Sequence, residues 1–190
     1  MFRYAASCLF ILALVVGCAC LFFPNYWIHR YDDLIARQSR VYRLDEKLVW
    51  SLIYEETWFR PWKIGADAEV GLMQVTPVVA REWARETGLK EYEKQASENV
   101  NEFLGDPERN IQAGCWYLER LREQYRGRPA ETAMTLAAYN AGPSRVEEWT
   151  KDTRVDTLSE GDFVDRIAIT STRNYVTAIL TRYRNAPGPK

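Results

Sequence analysis

The hydrophobic pattern is most uneven near the N-terminus, where residues 4–23 form a block without a single charged side chain. Twenty residues in a helix reach about 30 Å, which is the thickness of the hydrocarbon core of a bilayer. Tyr26 and Trp27 follow the block, and aromatic side chains of this kind favour the membrane–water interface. The pattern therefore predicts an uncleaved N-terminal membrane anchor within residues 1–23.

Two other interpretations of the same block stay open. One is a cleaved signal peptide, although its apolar region usually covers only about 7–15 residues. The other is a lipoprotein signal, because Val15-Val16-Gly17-Cys18 resembles a lipobox in which Cys18 carries the lipid after cleavage. A buried core helix is disfavoured, since such helices rarely avoid every charge over twenty residues.

From residue 24 onward, apolar positions recur at helical spacing, without the alternation typical of strands. Asp45, Thr76-Pro77 and Asp106-Pro107 each predict the start of a helix, the last two as an N-cap followed by proline at the first helical position. The predicted helix ends are Pro61, Gly88 and Gly127. The predicted helices cover about residues 45–59, 77–87, 107–126 and 129–139, then a short helix with Val146 and Trp149 and a last helix with Val176, Ile179, Leu180 and Tyr183.

These elements predict an all-α fold made of short helices. The chain has 190 residues, of which 47% are hydrophobic and 27% charged, so it can bury one globular core and is too apolar to be disordered. We expect residues 24–44 to form a connecting helix, residues 45–185 a single domain and residues 186–190 a disordered tail. Within the domain, residues 140–143 predict a turn and residues 151–160 a loop.

Charge and cysteine usage exclude several functions. Lys and Arg number 25 against 26 Asp and Glu, and this balance lacks the basic footprint of a nucleic-acid binder. Three of the four cysteines lie in the charge-free block, so Cys115 has no partner for a disulfide within the domain. With one histidine in the whole chain, we expect neither a metal site nor a cofactor.

One acidic residue lies on an apolar helix face. Glu56 follows Val49, Leu52 and Ile53 at helical spacing, whereas Glu55 is turned away by about 100° and is expected to be more solvated. Apolar surroundings raise the pKa of a carboxylic acid, which makes it a suitable general acid near neutral pH. This helix alone does not distinguish such an acid from a surface acid or from a buried acid paired with arginine.

Four segments together carry a family resemblance. Their sequences are Ile53-Tyr54-Glu55-Glu56-Thr57-Trp58-Phe59-Arg60-Pro61, Gly71-Leu72-Met73-Gln74, Asp106-Pro107-Glu108-Arg109-Asn110-Ile111-Gln112-Ala113-Gly114, and Ala138-Tyr139-Asn140-Ala141-Gly142-Pro143. In this order and spacing they resemble the lytic transglycosylases of the soluble-lytic-transglycosylase, goose-lysozyme-like family. The resemblance spans about residues 45–185 and implies a lysozyme-like fold.

The resemblance implies an enzyme that cleaves the β-1,4 bond between N-acetylmuramic acid and N-acetylglucosamine in peptidoglycan and forms a 1,6-anhydro ring. It places the catalytic acid and base at Glu56. It implies substrate contacts from Gln74, Tyr139 and Asn140, with Gly71 and Met73 beside them in the binding loop. Because peptidoglycan lies outside the cytoplasmic membrane, it also implies an envelope location, with residues from Tyr26 onward outside.

The sequence departs from the family pattern at four positions in or near these motifs, the first being Thr57, which stands in place of the usual serine. Thr76 stands where the family often has methionine. Residues 167–176 resemble the family's Ile-Pro-x-x-Glu-Thr-Arg-x-Tyr-Val, but Ala168 replaces the proline and Ser171 replaces the second glutamate. That glutamate lies near the cleft in some family members, so substrate contacts at this point are in doubt.

Two other functions stay open at this level. A hydrolytic muramidase would use Asp67 or Glu69 to hold a water molecule, although both residues also fit an ordinary solvated loop. A non-catalytic, membrane-anchored module for glycan binding or assembly docking would need no acid, and the intact Glu56 and Tyr139 argue against it. Aromatic side chains that could line a sugar groove, or equally lie in the core, are Trp58, Phe59, Trp62, Trp83 and Trp116.

Overall fold

In the computed structural model, which describes residues 25–185 and 188–189, helices follow one another with short connections. Residues 25–29 are helical. The helices after them are α1 (Asp32–Val41), α2 (Glu46–Thr57), α3 (Pro77–Thr87), α4 (Lys90–Glu98), α5 (Val100–Gly105), α6 (Pro107–Tyr125), α7 (Glu131–Ala141), α8 (Pro143–Thr150), α9 (Glu160–Arg166) and α10 (Thr170–Asn185). The extended pairing in the described part of the chain consists of two isolated bridges, Ile64 with Val70 and Val70 with Val75. The all-α prediction is confirmed.

Three helices begin where their capping residues predict. The Asp45 carboxylate accepts hydrogen bonds from the backbone of residues 47 and 48, and it thereby satisfies donors that the first turn of α2 leaves open. Thr76 and Asp106 cap α3 and α6 in the same way, each followed by proline. Gly88, in the left-handed region at φ 69°, ends α3 as predicted.

Two predicted boundaries are wrong by a few residues. Helix α2 ends at Thr57 rather than near Pro61, because Trp58 and Phe59 both adopt left-handed backbone angles, at φ 51° and 59°. Helix α7 starts at Glu131 and continues through Ala141, and α8 begins at Pro143, so three of the four residues of the expected turn over residues 140–143 are helical. The break comes at Gly142, whose φ of 88° suits glycine.

Other elements were not expected from the pattern. Helices α4 and α5 occupy a stretch for which no helix was predicted, and the expected loop over residues 151–160 contains a 3₁₀ turn at Val155–Thr157. Ser159 caps α9 immediately after it. These elements are short or largely polar, so their hydrophobic periodicity is weak.

The core is built around α7, which packs against α6, α8 and α10, while α10 also packs against α2. Fully buried side chains from these helices include Ile53, Leu118, Ala137 and Ile179. Helix α1 packs on α2 and α6 and buries Ile35 in the same core, which therefore extends N-terminal to residue 45. The domain limits at residues 45 and 185 stay a prediction.

The expected membrane anchor at residues 1–23 lies outside the described residues. Among the residues that the structure describes, no helix combines the length and apolarity needed to cross a membrane. Residues 186, 187 and 190 of the expected tail also lie outside the description, whereas Gly188 is buried beside the Lys47 side chain. Cys115 is a buried free thiol in α6.

Candidate active site

Glu56 lies in the last turn of α2 and is half-buried between this helix and α10. Its Oε1 accepts a hydrogen bond from the hydroxyl of Tyr175, 2.6 Å away. Its backbone oxygen accepts a hydrogen bond from Nζ of Lys63, in the loop that follows α2. The carboxyl group is thus fixed by a helix from the far end of the chain, and the helix terminus by a residue close in sequence.

The surroundings of Glu56 raise its pKa from 4.5 to about 7. Burial is the main cause, because it disfavours the charged carboxylate. The negative charges of Glu69 and Glu55 raise the pKa further, while the Tyr175 hydrogen bond and the positive charge of Lys63 lower it. At neutral pH a substantial fraction of Glu56 is therefore protonated and able to donate a proton.

The loop after α2 is tied back to the helix by a hydroxyl. Oγ1 of Thr57 donates to a backbone oxygen within α2, at Ile53, or to the backbone oxygen of Leu72, 3.0 Å away. Thr57 stands where the related family has serine, and it keeps the hydroxyl that makes these contacts. The loop therefore returns to the end of α2, where Leu72 contacts Thr57, the residue after Glu56.

The side chain of Asn110 supports the segment Gly71-Leu72-Met73-Gln74 through hydrogen bonds to the backbone. This fully buried side chain accepts from the Met73 N–H over 2.8 Å and donates to the backbone oxygens of Val70 and Leu104. Gly71 has φ 77°, and a Cβ at this position would lie 2.3 Å from the Asn110 amide nitrogen. Glycine is therefore required both by the backbone angle and by the approach of Asn110.

Gln74 has φ 48°, and its side-chain amide donates to the backbone oxygens of Lys63 and Gly71 over 3.1 and 2.9 Å. The Gln74 amide, which was predicted to bind substrate, is thus fixed to the backbone of the loop. Met73 is fully buried, so its predicted place beside the substrate is limited to its backbone, whose oxygen accepts from the Tyr139 hydroxyl over 2.8 Å.

The Tyr139 hydroxyl and Asn140 come from the end of α7, on the other side of the site. Burial raises the pKa of Tyr139 well above its ordinary value, and the negative charge of Glu56 adds to this effect, so the phenol stays neutral. The Asn140 Oδ1 accepts from the Thr172 hydroxyl over 2.7 Å, which ties α7 to α10. The structure thus brings Tyr139 close to Glu56 and gives Asn140 a contact with α10.

Three residues that the sequence interpretation did not assign take part in the site. Tyr175 contacts the Glu56 carboxyl, Lys63 contacts its backbone, and Asn110 supports the binding loop. Tyr175 could have been found, since it lies in the segment resembling Arg-x-Tyr-Val near the C-terminus. Asn110 lies in the third family segment and could have been found in the same way, whereas no local signal marks Lys63, because its contact depends on how the loop folds back.

Glu55 is partly exposed and has a charged partner. Its Oε2 lies 3.0 Å from Nη1 of Arg182, and the Arg182 guanidinium stacks over the Tyr54 ring at 4.0 Å. Helix α10 packs against α2 and supplies the arginine. Glu55 and Glu56 therefore both contact α10, one through an ion pair and the other through a phenol.

Of the aromatic residues considered for a sugar groove, Phe59 and Trp83 belong to the core, with 0% and 4% of their surface exposed. Trp116 is half-buried and donates to the Glu86 carboxylate. Trp58 and Trp62 are exposed beside the end of α2. The groove interpretation is therefore wrong for Phe59 and Trp83, because the left-handed turn after α2 directs Phe59 inward.

Of the two acidic residues in the loop after α2, Glu69 affects the pKa of Glu56. Oε2 of Glu69 accepts from the backbone N–H of Asp67 over 2.9 Å, and the charge of Glu69 raises the pKa of Glu56. Asp67 itself is exposed. Over the described part of the chain, no group of three or more His, Cys, Asp or Glu side chains is arranged to hold a metal ion.

Residues 33–157 match the family model described as "Transglycosylase SLT domain". The chain is 28% identical over 165 residues to the soluble lytic murein transglycosylase of Salmonella typhimurium, covering 84% of this chain and 24% of that protein. It is 32% identical over 126 residues to the membrane-bound lytic murein transglycosylase C of Mannheimia succiniciproducens, covering 64% of this chain and 34% of that protein. The chain thus spans about a quarter to a third of the length of these curated relatives.

Among solved structures, the chain is similar to that of the lytic transglycosylase Slt from Pseudomonas aeruginosa, which was solved as an inactive glutamate-to-glutamine mutant. The TM-score is 0.69 at 26% identity, covering 83% of this chain and 24% of that one. The described helices therefore have the lysozyme-like arrangement that the motifs predict.

Proposed function

Because the chain belongs to the transglycosylase SLT domain family, we propose that it is a peptidoglycan lytic transglycosylase. It cleaves the β-1,4 bond between N-acetylmuramic acid and N-acetylglucosamine and leaves a 1,6-anhydro-muramic acid end. The observation that carries this proposal is the half-buried Glu56, whose pKa is raised to about 7 and whose carboxyl is held by Tyr175. The glutamate-to-glutamine mutant of the Pseudomonas enzyme is inactive, which supports an essential glutamate in an enzyme of this kind.

In the proposed reaction, the protonated Glu56 donates its proton to the glycosidic oxygen, and the bond from this oxygen to the muramic acid C1 breaks. The resulting carboxylate then removes the proton of the C6 hydroxyl of the same sugar. The C6 oxygen bonds to C1 and closes the anhydro ring, so no water is consumed and Glu56 returns to its acid form. One carboxyl group serves both steps, in contrast to the two-carboxylate glycosidases.

Other residues in the proposed site bind and orient the sugar. The Tyr139 and Tyr175 phenols stay neutral because burial and the nearby Glu56 charge raise the pKa of both. Their protons are donated to the Met73 backbone oxygen and the Glu56 carboxyl, so each hydroxyl oxygen can accept from a sugar hydroxyl. Gln74 and Asn140 offer amide groups for hydroxyl and acetamido groups of the substrate. Gly71 and Met73 act through the backbone of the binding loop.

Product analysis tests the proposal. Purified peptidoglycan is digested with the full chain in mild detergent, and the products are weighed by mass spectrometry. A lytic transglycosylase gives 1,6-anhydro ends, one water lighter than the reducing ends expected if Glu69 holds a water molecule for hydrolysis. A glycan-binding module gives no products at all.

Two neighbouring variants provide a matched control for the assignment of the acid. Glu56→Gln removes the proton donor and is expected to abolish product formation. Glu55→Gln removes a carboxylate one residue earlier, which is paired with Arg182 instead, and is expected to keep most of the activity. Full lytic activity in the Glu56→Gln variant would overturn the catalytic assignment.

The proposed substrate places the enzyme in the bacterial cell envelope, outside the cytoplasmic membrane. We infer that residues 1–23 hold it there as an uncleaved anchor, with Arg3 on the cytoplasmic side. The charge-free block supports this inference, as does the name of the membrane-bound relatives. Mass spectrometry of the mature N-terminus distinguishes the anchor from a cleaved signal and from a lipoprotein that starts at Cys18.

A further inference from the structure

An exposed aromatic surface lies beside the candidate active site. Its members are Tyr26, Trp58 and Trp62, whose exposed fractions are 67%, 47% and 64%, and we call this surface the aromatic face. Single exposed apolar residues are common on proteins, but these three rings belong to two segments that contact each other through Trp27, and exposed rings gathered in this way suit a partner.

The aromatic face is held together by contacts between residues 25–30 and the loop after α2. Trp27 packs edge-on against Trp62, with ring centroids 5.5 Å apart, and its Nε1 donates to the backbone oxygen of Trp58 over 3.0 Å. The Arg30 guanidinium stacks 3.5 Å above the Trp27 ring and donates to the backbone oxygen of Phe59 over 2.5 Å. These contacts pack the two segments that carry the aromatic face against each other.

Positive charge accompanies these rings. Residues 58–63 include Arg60 and Lys63 and contain no acidic residue. Arg60 is exposed, and its Nε donates to the backbone oxygen of Thr57 over 2.8 Å. Tryptophan and tyrosine, together with arginine and lysine, are the side chains that favour the headgroup region of a bilayer, where rings meet both apolar chains and phosphates.

We propose that the aromatic face lies in the headgroup region of the phospholipid bilayer, so that the folded domain itself docks on the membrane. This inference rests on the membrane anchoring proposed above. The charge-free block ends at residue 23, and the helix over residues 25–29, which carries Tyr26 and Trp27, follows it directly. A chain that leaves the bilayer at this point delivers the aromatic face to the bilayer surface.

A glycan strand is the competing partner for these rings, and the contacts favour the bilayer. Trp62 packs against Trp27, on the side of the helix that follows the charge-free block. Tyr139 and Tyr175 belong instead to the α7 and α10 side of the site, where Tyr175 binds the Glu56 carboxyl. Since Trp58 follows Glu56 by two residues, docking holds the cleft close to the membrane and favours glycan strands that lie there.

Fluorescence quenching tests the docking. The full chain is reconstituted into phosphatidylcholine vesicles that contain a lipid with a nitroxide near the headgroup, and quenching of tryptophan emission is measured. The double variant Trp58→Phe, Trp62→Phe is expected to lose more than half of the quenchable emission of the parent chain. Trp116→Phe, which removes a half-buried tryptophan on α6, is the matched control and is expected to keep it. Circular dichroism shows whether each variant retains the fold. The single variant Trp62→Phe carries the same test with a smaller change.

The possible outcomes distinguish the docking from the anchoring and from the enzymatic activity. If the chain floats with the vesicles and the double variant is quenched like the parent, the anchor stands and the docking is wrong. If the chain does not float, both the anchoring and the docking are wrong, while the enzymatic proposal is still decided by its products. If purified glycan strands protect Trp58 and Trp62 from aqueous iodide, the face binds glycan and the docking is wrong.

Discussion

The hydroxyl of Tyr175 donates to the Glu56 carboxyl over 2.6 Å and joins two residues that are 119 positions apart in the sequence. This bond stabilises the charged carboxylate, whereas burial and the charges of Glu69 and Glu55 favour the neutral acid. The pKa of about 7 results from this opposition. The Tyr175 hydrogen bond and the charges of Glu69 and Glu55 can each be removed by one substitution. The direction of each effect on the pKa of Glu56 is fixed by its physical cause.

Tyr175→Phe removes the hydroxyl and keeps the ring. We expect the pKa of Glu56 to rise above about 7, because the variant loses a bond that favours the charged form. The basic limb of the kcat/KM profile, which reports loss of the protonated acid, therefore moves to higher pH. Loss of a hydrogen bond to a charged group is expected to lower kcat/KM by about 10- to 100-fold at its optimum.

The control for this variant is Tyr183→Phe on the same helix, whose hydroxyl donates to Asp45 instead. It is expected to leave the pH profile unchanged. An unshifted basic limb in Tyr175→Phe would show that the phenol does not act through Glu56.

Glu69→Gln removes a negative charge that raises the pKa of Glu56. The pKa of Glu56 is then expected to fall, and the basic limb of kcat/KM moves to lower pH, opposite to the effect of Tyr175→Phe. Asp67→Asn removes an exposed carboxylate from the same loop and should not shift the limb. A shift in the other direction, or an equal shift in both variants, would contradict the role given to Glu69.

The raised pKa of Glu56 also predicts how stability depends on pH. A carboxyl with a pKa of about 7 in the folded state and 4.5 when unfolded binds its proton more tightly in the folded protein. Its contribution to the free energy of unfolding is complete below pH 4.5 and is lost as the pH rises through 7, by about 3 kcal/mol. Glu56→Gln does not titrate, so it should gain stability relative to the parent as the pH rises from 4.5 to 8.

Denaturant unfolding in mild detergent at several pH values measures this difference. Glu55→Gln is the matched control, since it removes the neighbouring carboxylate. Parallel pH profiles for the parent and Glu56→Gln would mean that Glu56 is not strongly desolvated.

Alanine substitutions at two glycines with the same φ distinguish the cost of backbone strain from the cost of a steric clash. Gly71 and Gly127 both have φ 77°, but a Cβ at Gly71 would meet Asn110 at 2.3 Å, whereas one at Gly127 would have no neighbour within 4 Å. Gly127→Ala is expected to cost about 1–2 kcal/mol for the left-handed backbone alone. Gly71→Ala is expected to cost about 1–3 kcal/mol more, because the binding loop and Asn110 must move apart. Denaturation midpoints provide the comparison, and equal losses would rule out the steric contribution.

The sequence predicts those parts of the fold that depend on local chemistry. Asp45, Thr76 and Asp106 cap their helices because a short polar side chain satisfies the amides immediately after it. Helix α4 buries only Ala96, so it lacks the apolar stripe on which a prediction depends. The end of α2 was misplaced because no local rule predicts two consecutive left-handed residues at Trp58 and Phe59.

The candidate site was predictable only as far as its motifs extend. Glu56 and Tyr139 follow from the family segments, and the structure places them close together. The contacts of Glu56 with Tyr175 and of Glu55 with Arg182 join α2 to α10 across more than a hundred residues. Such contacts depend on the packing of two helices, which neither spacing nor composition determines.

The position of Tyr175 also has a consequence for the order in which the protein is synthesised. Contacts of the Glu56 region with Lys63 and Leu72 can form early on the ribosome, because they span only 7 and 15 residues. Tyr175, whose hydroxyl donates to the Glu56 carboxyl, is translated 119 residues after Glu56. A nascent chain therefore carries a Glu56 carboxyl group without its Tyr175 hydrogen bond through most of its translation, and the proposed catalytic centre is complete only when α10 has emerged and packed.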